Sequence, residues 1–528
     1  MRFKIYSRDI AWSPAIRVRV RKNKTLKITV VLLLLILALA LALRLVNVGH
    51  LVSWDEAWNV NSIQDAASGH HSNATTFYPN FFRHPPLYTG LGVIYSKVAG
   101  MGRTGLSYFL EIVSILFSLA LIVALFLCGR DWFNEWAGLA AAFIFAVMPA
   151  ARVYDSLVKQ ESMTLFLGLL FLLFFFRRRY FVAGLFLGLA LLTKEIIVFV
   201  PAAVFVFVLL SRKWDRLKGF GLSLLIAVPM AAWWYLFLSR TEGQFMEFFL
   251  GTHSSAQVWH KPFWSYLARI PGDIGWGGLV ALLLGLGALA WHLKTFHGAD
   301  REHRDYLPRD MALFLLIWVL VIYLVLSVSY GKPPWMVYTA LPAFALLGGW
   351  GLAETYRALS NRRGTAVVTV VLLVVLIAAT AIPFGFTNYE SHGDVLYNST
   401  LRDRAVARYI NVNGGRGARV MLKTGDLSPI MMFYLDSYAS GDIALLSAEP
   451  AQDRVSGDKR VLLIDDSATP AQAARHVATV KPSFVVLRSN SDAAAAFSSL
   501  VKPYDINGSL IFNGKELLNA LLPLLSQK

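Results

Sequence analysis

Long apolar runs, broken by short polar or charged stretches, dominate the chain as far as about residue 386. The first run lies within 27–47, long enough for the roughly 20 apolar residues a helix needs to cross a bilayer. Others follow at about 105–128, 133–149 and 162–176, two share 180–210, and five more lie near 219–238, 275–293, 311–329, 336–353 and 365–386. This pattern predicts eleven spans. The run at 87–101 is apolar but short and diluted by glycines, and it reads as a helix lying against the membrane. From about residue 387 the composition turns soluble. Short β-prone runs (418–423, 443–446, 460–464, 483–487, 509–512) alternate with helical ones (401–410, 429–435, 470–480, 493–501, 515–525). Such alternation predicts a small α/β domain with a mainly parallel sheet. It carries no glycine fingerprint for phosphate.

Composition agrees with the pattern. Of 528 residues, 56% are hydrophobic and the mean hydropathy is +0.53, too apolar for a soluble globular chain. The expected organisation is a basic tail (1–26), a transmembrane domain (27–386) and a soluble domain (387–528). No small-residue cleavage site follows the first run, so it reads as a span and not as a signal peptide. The net charge of +17 would suit nucleic acid, but its distribution argues for a membrane. Arg2, Lys4, Arg8, Arg17, Arg19, Arg21, Lys22, Lys24 and Lys27 precede the first span, which sets the N-terminus in the cytoplasm. Basic clusters at 177–179 and 211–218 then fall inside, and the C-terminal domain falls outside. The only cysteine, Cys128, excludes an intrachain disulfide and a Cys-based metal site.

This topology puts one set of polar residues on the outer face: Asp55, Glu56, His84, Arg152, Asp155, Glu161, Lys194, Glu195, His253, His260, Arg269 and Lys332. Charges beside apolar segments are costly, so their gathering on one side points to a site. The loop 48–88 supplies adjacent carboxylates, Asp55 and Glu56, between Trp54 and Trp58. A carboxylate there could act as a general base, or the pair could be solvated acids inside an interfacial aromatic belt. Arg83-His84-Pro85-Pro86 is a rigid break presenting one imidazole to a phosphate or a metal, or simply a helix start. In 150–161, read as a short outside loop, Asp155 reads as a solvated acid. Glu161 reads as a carboxylate for a divalent cation such as magnesium, manganese or zinc, or as a helix-start acid favoured by the dipole. Lys194 and Glu195 could neutralise each other. Arg152, Arg269 and Lys332 could bind a lipid phosphate or only snorkel. His260 could complete a metal site with His84 and Glu161.

Taken in order, Asp55-Glu56, the box His84-Pro85-Pro86-Leu87-Tyr88, residues 154–166 with Glu161, the segment ending Thr193-Lys194-Glu195, and Lys332-Pro333-Pro334-Trp335-Met336-Val337-Tyr338 resemble GT-C glycosyltransferases. The likeness is to the superfamily of dolichyl-phosphate-mannose–protein mannosyltransferases and the lipid A aminoarabinose transferase, and it covers roughly residues 28–385. It implies a GT-C-like polytopic helical fold and an inverting transfer from a polyprenyl-phosphate sugar to a protein, lipid or glycan acceptor. It also implies a cell-membrane location with no nucleic-acid partner. The family's first-loop aspartate falls on Asp55, with Glu56 beside it, and its second-loop acid falls on Glu161. Arg83, His84, Tyr88, Arg152, Lys194, Glu195, Arg269, Lys332 and Tyr338 would then bind substrate. The rival from another class is a lipid flippase or secondary transporter, for which mid-membrane charges and internal repeats are expected. A non-catalytic scaffold would need no clustered acids.

Overall fold

The computed structural model describes residues 14–49, 53–68, 85–241, 260–295, 308–329, 331–360, 369, 371, 374–375, 397–414, 418–423, 435, 443–445, 461–464, 469–506 and 509–525. The first helix, α1 (Pro14–Leu45), runs without a break from the basic tail through the first apolar run. Val31, Leu34 and Leu35 on it are more than half exposed, as expected for a face turned to lipid. Next comes α2 (Trp54–Ser68). It starts with the backward half of a capping box, the Glu56 carboxylate accepting the Ser53 amide at 2.9 Å, which gives an otherwise orphaned donor a partner. Pro85 and Pro86 open α3 (Pro86–Ala99), and Gly100 in a left-handed conformation (φ 62°) closes it. Its 14 residues span only ~21 Å, short of the ~30 Å hydrocarbon core. The short run at 87–101 is therefore a helix that cannot cross alone.

Helices α4 (Arg103–Trp132), α5 (Glu135–Val147), α6 (Pro149–Tyr154), α7 (Glu161–Phe176), α8 (Tyr180–Leu191), α9 (Phe199–Leu210) and α10 (Trp214–Thr241) follow. After them come α11 (Ser265–Thr295), α12 (Pro308–Val328) and α13 (Leu341–Leu359), the last preceded by a 3-10 helix, Pro334–Ala340. Six segments are apolar and long enough to cross a membrane: Lys27–Leu45, Arg103–Trp132, Trp214–Leu236, Ser265–Thr295, Pro308–Val328 and Trp335–Leu359. Four shorter apolar helices, Glu135–Val147, Glu161–Phe176, Tyr180–Leu191 and Glu195–Leu210, fall on the remaining predicted spans up to residue 353. The span at 365–386 lies largely outside the described residues. The chain is a multi-pass membrane protein with an α-helical membrane body.

Glycines set how closely the helices approach. A β-carbon on Gly129 of α4 would come within 2.6 Å of the Gly138 backbone on α5, and one on Gly351 of α13 within 2.3 Å of Gly285 on α11. In lipid, where burial gives helices little reason to associate, such close approach supplies packing energy. Aromatic edges knit the centre, with Trp132 and Phe176 each meeting Phe314 on α12. The short loop expected at 150–161 proves to be no surface loop. Residues 151–160 are buried throughout, folded as α6 and a turn.

The C-terminal part contains α14 (Tyr397–Gly414), strands β1 (Val420–Lys423), β2 (Ile443–Leu445), β3 (Val461–Ile464), β4 (Phe484–Arg488), β5 (Tyr504–Ile506) and β6 (Ser509–Asn513), and helices α15 (Pro470–Val480), α16 (Asp492–Ser498) and α17 (Gly514–Leu525). The sheet order is β2-β3-β1-β4-β6-β5. The first four are parallel, while β6 and β5 add antiparallel pairs at one edge. Thr469 caps α15 with a full capping box on Gln472. The mainly parallel α/β pattern read from the sequence is present, with β5 as an unforeseen edge strand. Of the helix expected at 429–435, only Leu435 is among the described residues.

Candidate active site

Four separate pieces of chain line one open-mouthed cavity. Helix α2 contributes Asp55, Trp58 and Asn59, the turn before α7 Lys159 and Gln160, the turn after α8 Lys194, Glu195 and Ile196, and the 3-10 helix Trp335 and Met336. Asp55 sits in the first turn of α2, where the positive end of the helix dipole favours a carboxylate. Its Oδ2 receives the Lys159 ammonium at 2.9 Å. The aspartate side chain is 33% exposed and the lysine 5%. Lys159 also lies 4.6 Å from the centre of the Trp335 ring, a cation–π contact that gives a nearly buried ammonium a second partner.

Behind the cavity, Glu161 opens α7 and accepts the Lys194 ammonium at 2.8 Å. Mutual neutralisation of Lys194 by its neighbour Glu195 is therefore corrected. The turn that follows α8 directs the lysine toward α7, while Glu195 faces the cavity and opens the 3-10 turn Glu195–Val198. Glu161 is buried, and its Oε2 has no hydrogen-bond partner.

Glu56 is fully buried. Its two oxygens accept backbone amides, those of Ser53 at 2.9 Å and Val158 at 2.8 Å. It ties α2 to the 155–160 turn, and so holds Asp55 over Lys159. It is not among the cavity-lining residues, and reading it as a solvated acid is corrected by its burial.

Asp155, expected as a solvated acid, is 0% exposed and is the polar centre of the membrane body. The Arg44 guanidinium at the end of α1 reaches its Oδ2 at 2.7 Å. Ser118 of α4 donates at 2.5 Å, Ser162 of α7 at 2.8 Å, and the Tyr338 hydroxyl also donates to it. Tyr338 is thus a strut on Asp155 and does not line the cavity. One carboxylate fixes five segments at once.

The other predicted residues that are described fall outside the cavity lining. Tyr88 is fully buried, with its hydroxyl 3.2 Å from the Ser114 hydroxyl; burial pushes its phenol up from its ordinary value. Arg152 is buried in α6, not snorkelling. Burial and the nearby Arg44 charge lower its proton affinity. Arg269 pairs with Asp273 at 3.2 Å, and the Lys332 ammonium donates to the Ser329 carbonyl at 2.5 Å. His260 is exposed and forms a lone antiparallel bridge with Gly331. Arg83 and His84 lie outside the described residues, as does His253. Among the described residues there is no group of three or more His, Cys, Asp or Glu side chains that could hold a metal.

Two lining residues that matter here, Lys159 and Gln160, drew no role from the sequence. The signal was present, since Lys-Gln-Glu stands immediately before an apolar run. Nothing local says that such a triplet folds inward.

Residues 83–235 match the family described as dolichyl-phosphate-mannose-protein mannosyltransferase. The undecaprenyl phosphate-alpha-4-amino-4-deoxy-L-arabinose arabinosyl transferase of Pseudomonas aeruginosa (strain UCBPP-PA14) is 27% identical over 288 residues, covering 50% of this chain and 49% of that protein. A second enzyme of that name from Sodalis glossinidius is 28% identical over 302 residues, 52% of this chain and 51% of that one. The match thus spans about half the length of the curated relatives. Among solved structures, ArnT from Cupriavidus metallidurans bound to undecaprenyl phosphate superposes with a TM-score of 0.63 at 17% identity, over 93% of this chain and 98% of that one. The Archaeoglobus fulgidus oligosaccharyltransferase gives a TM-score of 0.59 at 12% identity, over 87% and 69%. The chain thus shares its membrane fold with these structures and is similar in sequence, over about half its length, to these transferases.

Proposed function

We propose that this protein transfers a sugar from a polyprenyl-phosphate carrier to an acceptor hydroxyl at the non-cytoplasmic face of the inner membrane, with inversion at the anomeric carbon. The observation that carries the proposal is Asp55, a partly exposed carboxylate on the cavity wall, with the Lys159 ammonium at 2.9 Å. In the step envisaged, Asp55 takes the acceptor's hydroxyl proton as that oxygen attacks the anomeric carbon. The bond from that carbon to the phosphate oxygen breaks on the opposite side. Its electron pair leaves with the phosphate, whose growing charge meets Lys159 and Lys194.

Two further features support this reading. A donor held by a lipid tail must be met at the membrane surface, and the cavity forms where α2 and three inter-helix turns converge. The relatives are named for transfer from an undecaprenyl phosphate carrier, and one solved neighbour was crystallised with undecaprenyl phosphate. Donor identity within that class, whether pentose or hexose, is the variable to screen. No step requires a metal ion.

The test is transfer by the purified protein in nanodiscs from undecaprenyl-phosphate sugars to lipid, glycan and peptide acceptors. Asp55→Asn should lower turnover ~10²–10⁴-fold, the range for a lost general base, while donor binding persists. Transfer undiminished in Asp55→Asn would remove the base. A wild-type protein that moved these lipids between leaflets without transferring sugar would replace the enzyme with a flippase.

A further inference from the structure

Gln160 is 1% exposed and lines the cavity. Its backbone is fixed, because its carbonyl accepts both the amide and the hydroxyl of Thr164, at 2.9 and 2.8 Å. Yet its side-chain Nε2 is buried and has no hydrogen-bond partner. The ammonium groups and the other side-chain amide of the wall are engaged: Lys159 by Asp55, Lys194 by Glu161, and the Asn59 amide by the Val158 carbonyl at 2.9 Å. Among the described residues, Gln160 is the lining side chain whose buried donor lacks a partner. Leaving such a donor unsatisfied is expensive, and one in the wall of a cavity calls for an acceptor that the cavity can bring to it.

The chemistry of the missing partner can be read from the wall. An amide N–H donates and carries no charge, so it suits a neutral acceptor oxygen better than it suits an anion. Two ammoniums already stand nearby for an anion. Trp58 and Trp335 border the same space and offer apolar ring surface next to hydrogen-bonding groups, a combination that fits the C–H faces and hydroxyls of a pyranose or furanose. We infer that Gln160 is a specificity-determining residue that donates from Nε2 to a neutral oxygen of the sugar, a hydroxyl or ring oxygen, and reads it apart from the phosphate. The inference rests on the proposed donor class and deepens it.

The experiment measures binding of undecaprenyl phosphate, bare and carrying either mannose or 4-amino-4-deoxy-L-arabinose, to wild-type protein and to Gln160→Met and Gln160→Glu in nanodiscs. Wild type should bind at least one sugar-bearing lipid more tightly than the bare phosphate. Gln160→Met, similar in length but without a donor, should lose ~10-fold or more of that gain and leave the affinity for bare undecaprenyl phosphate unchanged, as sites built to hydrogen-bond a substrate group do. Gln160→Glu should lose it as well. The thermal midpoint of Gln160→Met should stay level or rise, because an unsatisfied buried donor has been removed.

An equal loss for bare and sugar-bearing lipid, or a lowered midpoint with sugar selectivity intact, would overturn the assignment and leave the donor class standing. No binding of any of the three lipids by wild type would instead bring down the donor class itself, and this inference with it.

Discussion

Asp55 and Asp155 are both aspartates paired with a cation, in segments that meet in space, and they are built for opposite purposes. Asp155 is sealed, with Arg44, Ser118, Ser162 and Tyr338 all donating to it. Asp55 is one-third exposed, faces a cavity and takes the Lys159 ammonium, which also leans on Trp335. A saturated carboxylate has no oxygen left for a substrate and serves as a joint. An incompletely enclosed one can exchange its partner, as a group that takes a proton must. Glu56 belongs with Asp155, since its two oxygens are held by backbone amides of Ser53 and Val158. Adjacent acids on one helical turn therefore have divided roles, one positioning and one facing the cavity.

Breaking the joint should have the largest effect. Asp155→Ala strands the Arg44 guanidinium in the membrane body, and a destabilisation of ~3–5 kcal/mol is expected for a broken buried pair. It would be read as a collapse of the folded fraction in detergent by size exclusion and thermal unfolding. Arg44→Met combined with Asp155→Leu should restore much of the loss, because both charges are then gone. A stable, monodisperse Asp155→Ala protein would dissolve the contrast.

Lys159→Met sharpens the other side. It removes a cation from the cavity and releases Asp55, so transfer should fall ~10–100-fold, on the scale of a lost charge-stabilising group. Folding should change little, since the partly exposed Asp55 can turn to water. Should Lys159→Met unfold the protein as Asp155→Ala is expected to, both aspartates would be joints.

At the small end, Tyr88→Phe deletes one buried hydroxyl contact with Ser114 and should cost ~0.5–1.5 kcal/mol, the net value of one hydrogen bond. Its donor affinity should match wild type. A selective loss of donor affinity in Tyr88→Phe would return Tyr88 to the substrate-binding set and enlarge the site beyond the cavity wall.

Much of the frame was open to reading because its physics is local. A run of apolar residues has to be a buried or lipid-facing helix, whatever lies elsewhere in the chain. Pro85-Pro86 and Gly100 bound α3 as proline and glycine do, and Thr469 announces α15 through its capping box. The alternation after residue 387 produced β1, β2, β3, β4 and β6 near their predicted positions, whereas three-residue β5 exists only because β6 offers it an antiparallel edge. Asp55 stood out because two carboxylates directly after a span are conspicuous. Lys159 and Gln160 did not, because a polar triplet ahead of an apolar run is usually solvated.

The sequence by itself determined the membrane-spanning character, the helix limits, the α/β tail and the convergence of charge near the ends of particular helices. All of these follow from hydropathy and backbone stereochemistry within a few residues. Only the tertiary structure decided which charge faces which. Arg44 meets Asp155 across 111 positions, Lys159 meets Asp55 across 104, and Lys194 turns from its neighbour to Glu161, 33 positions back. The reason is electrostatic: inside a low-dielectric body an ion must find whatever counter-charge the packing brings within about 3 Å, and helix packing, not chain proximity, sets what lies there.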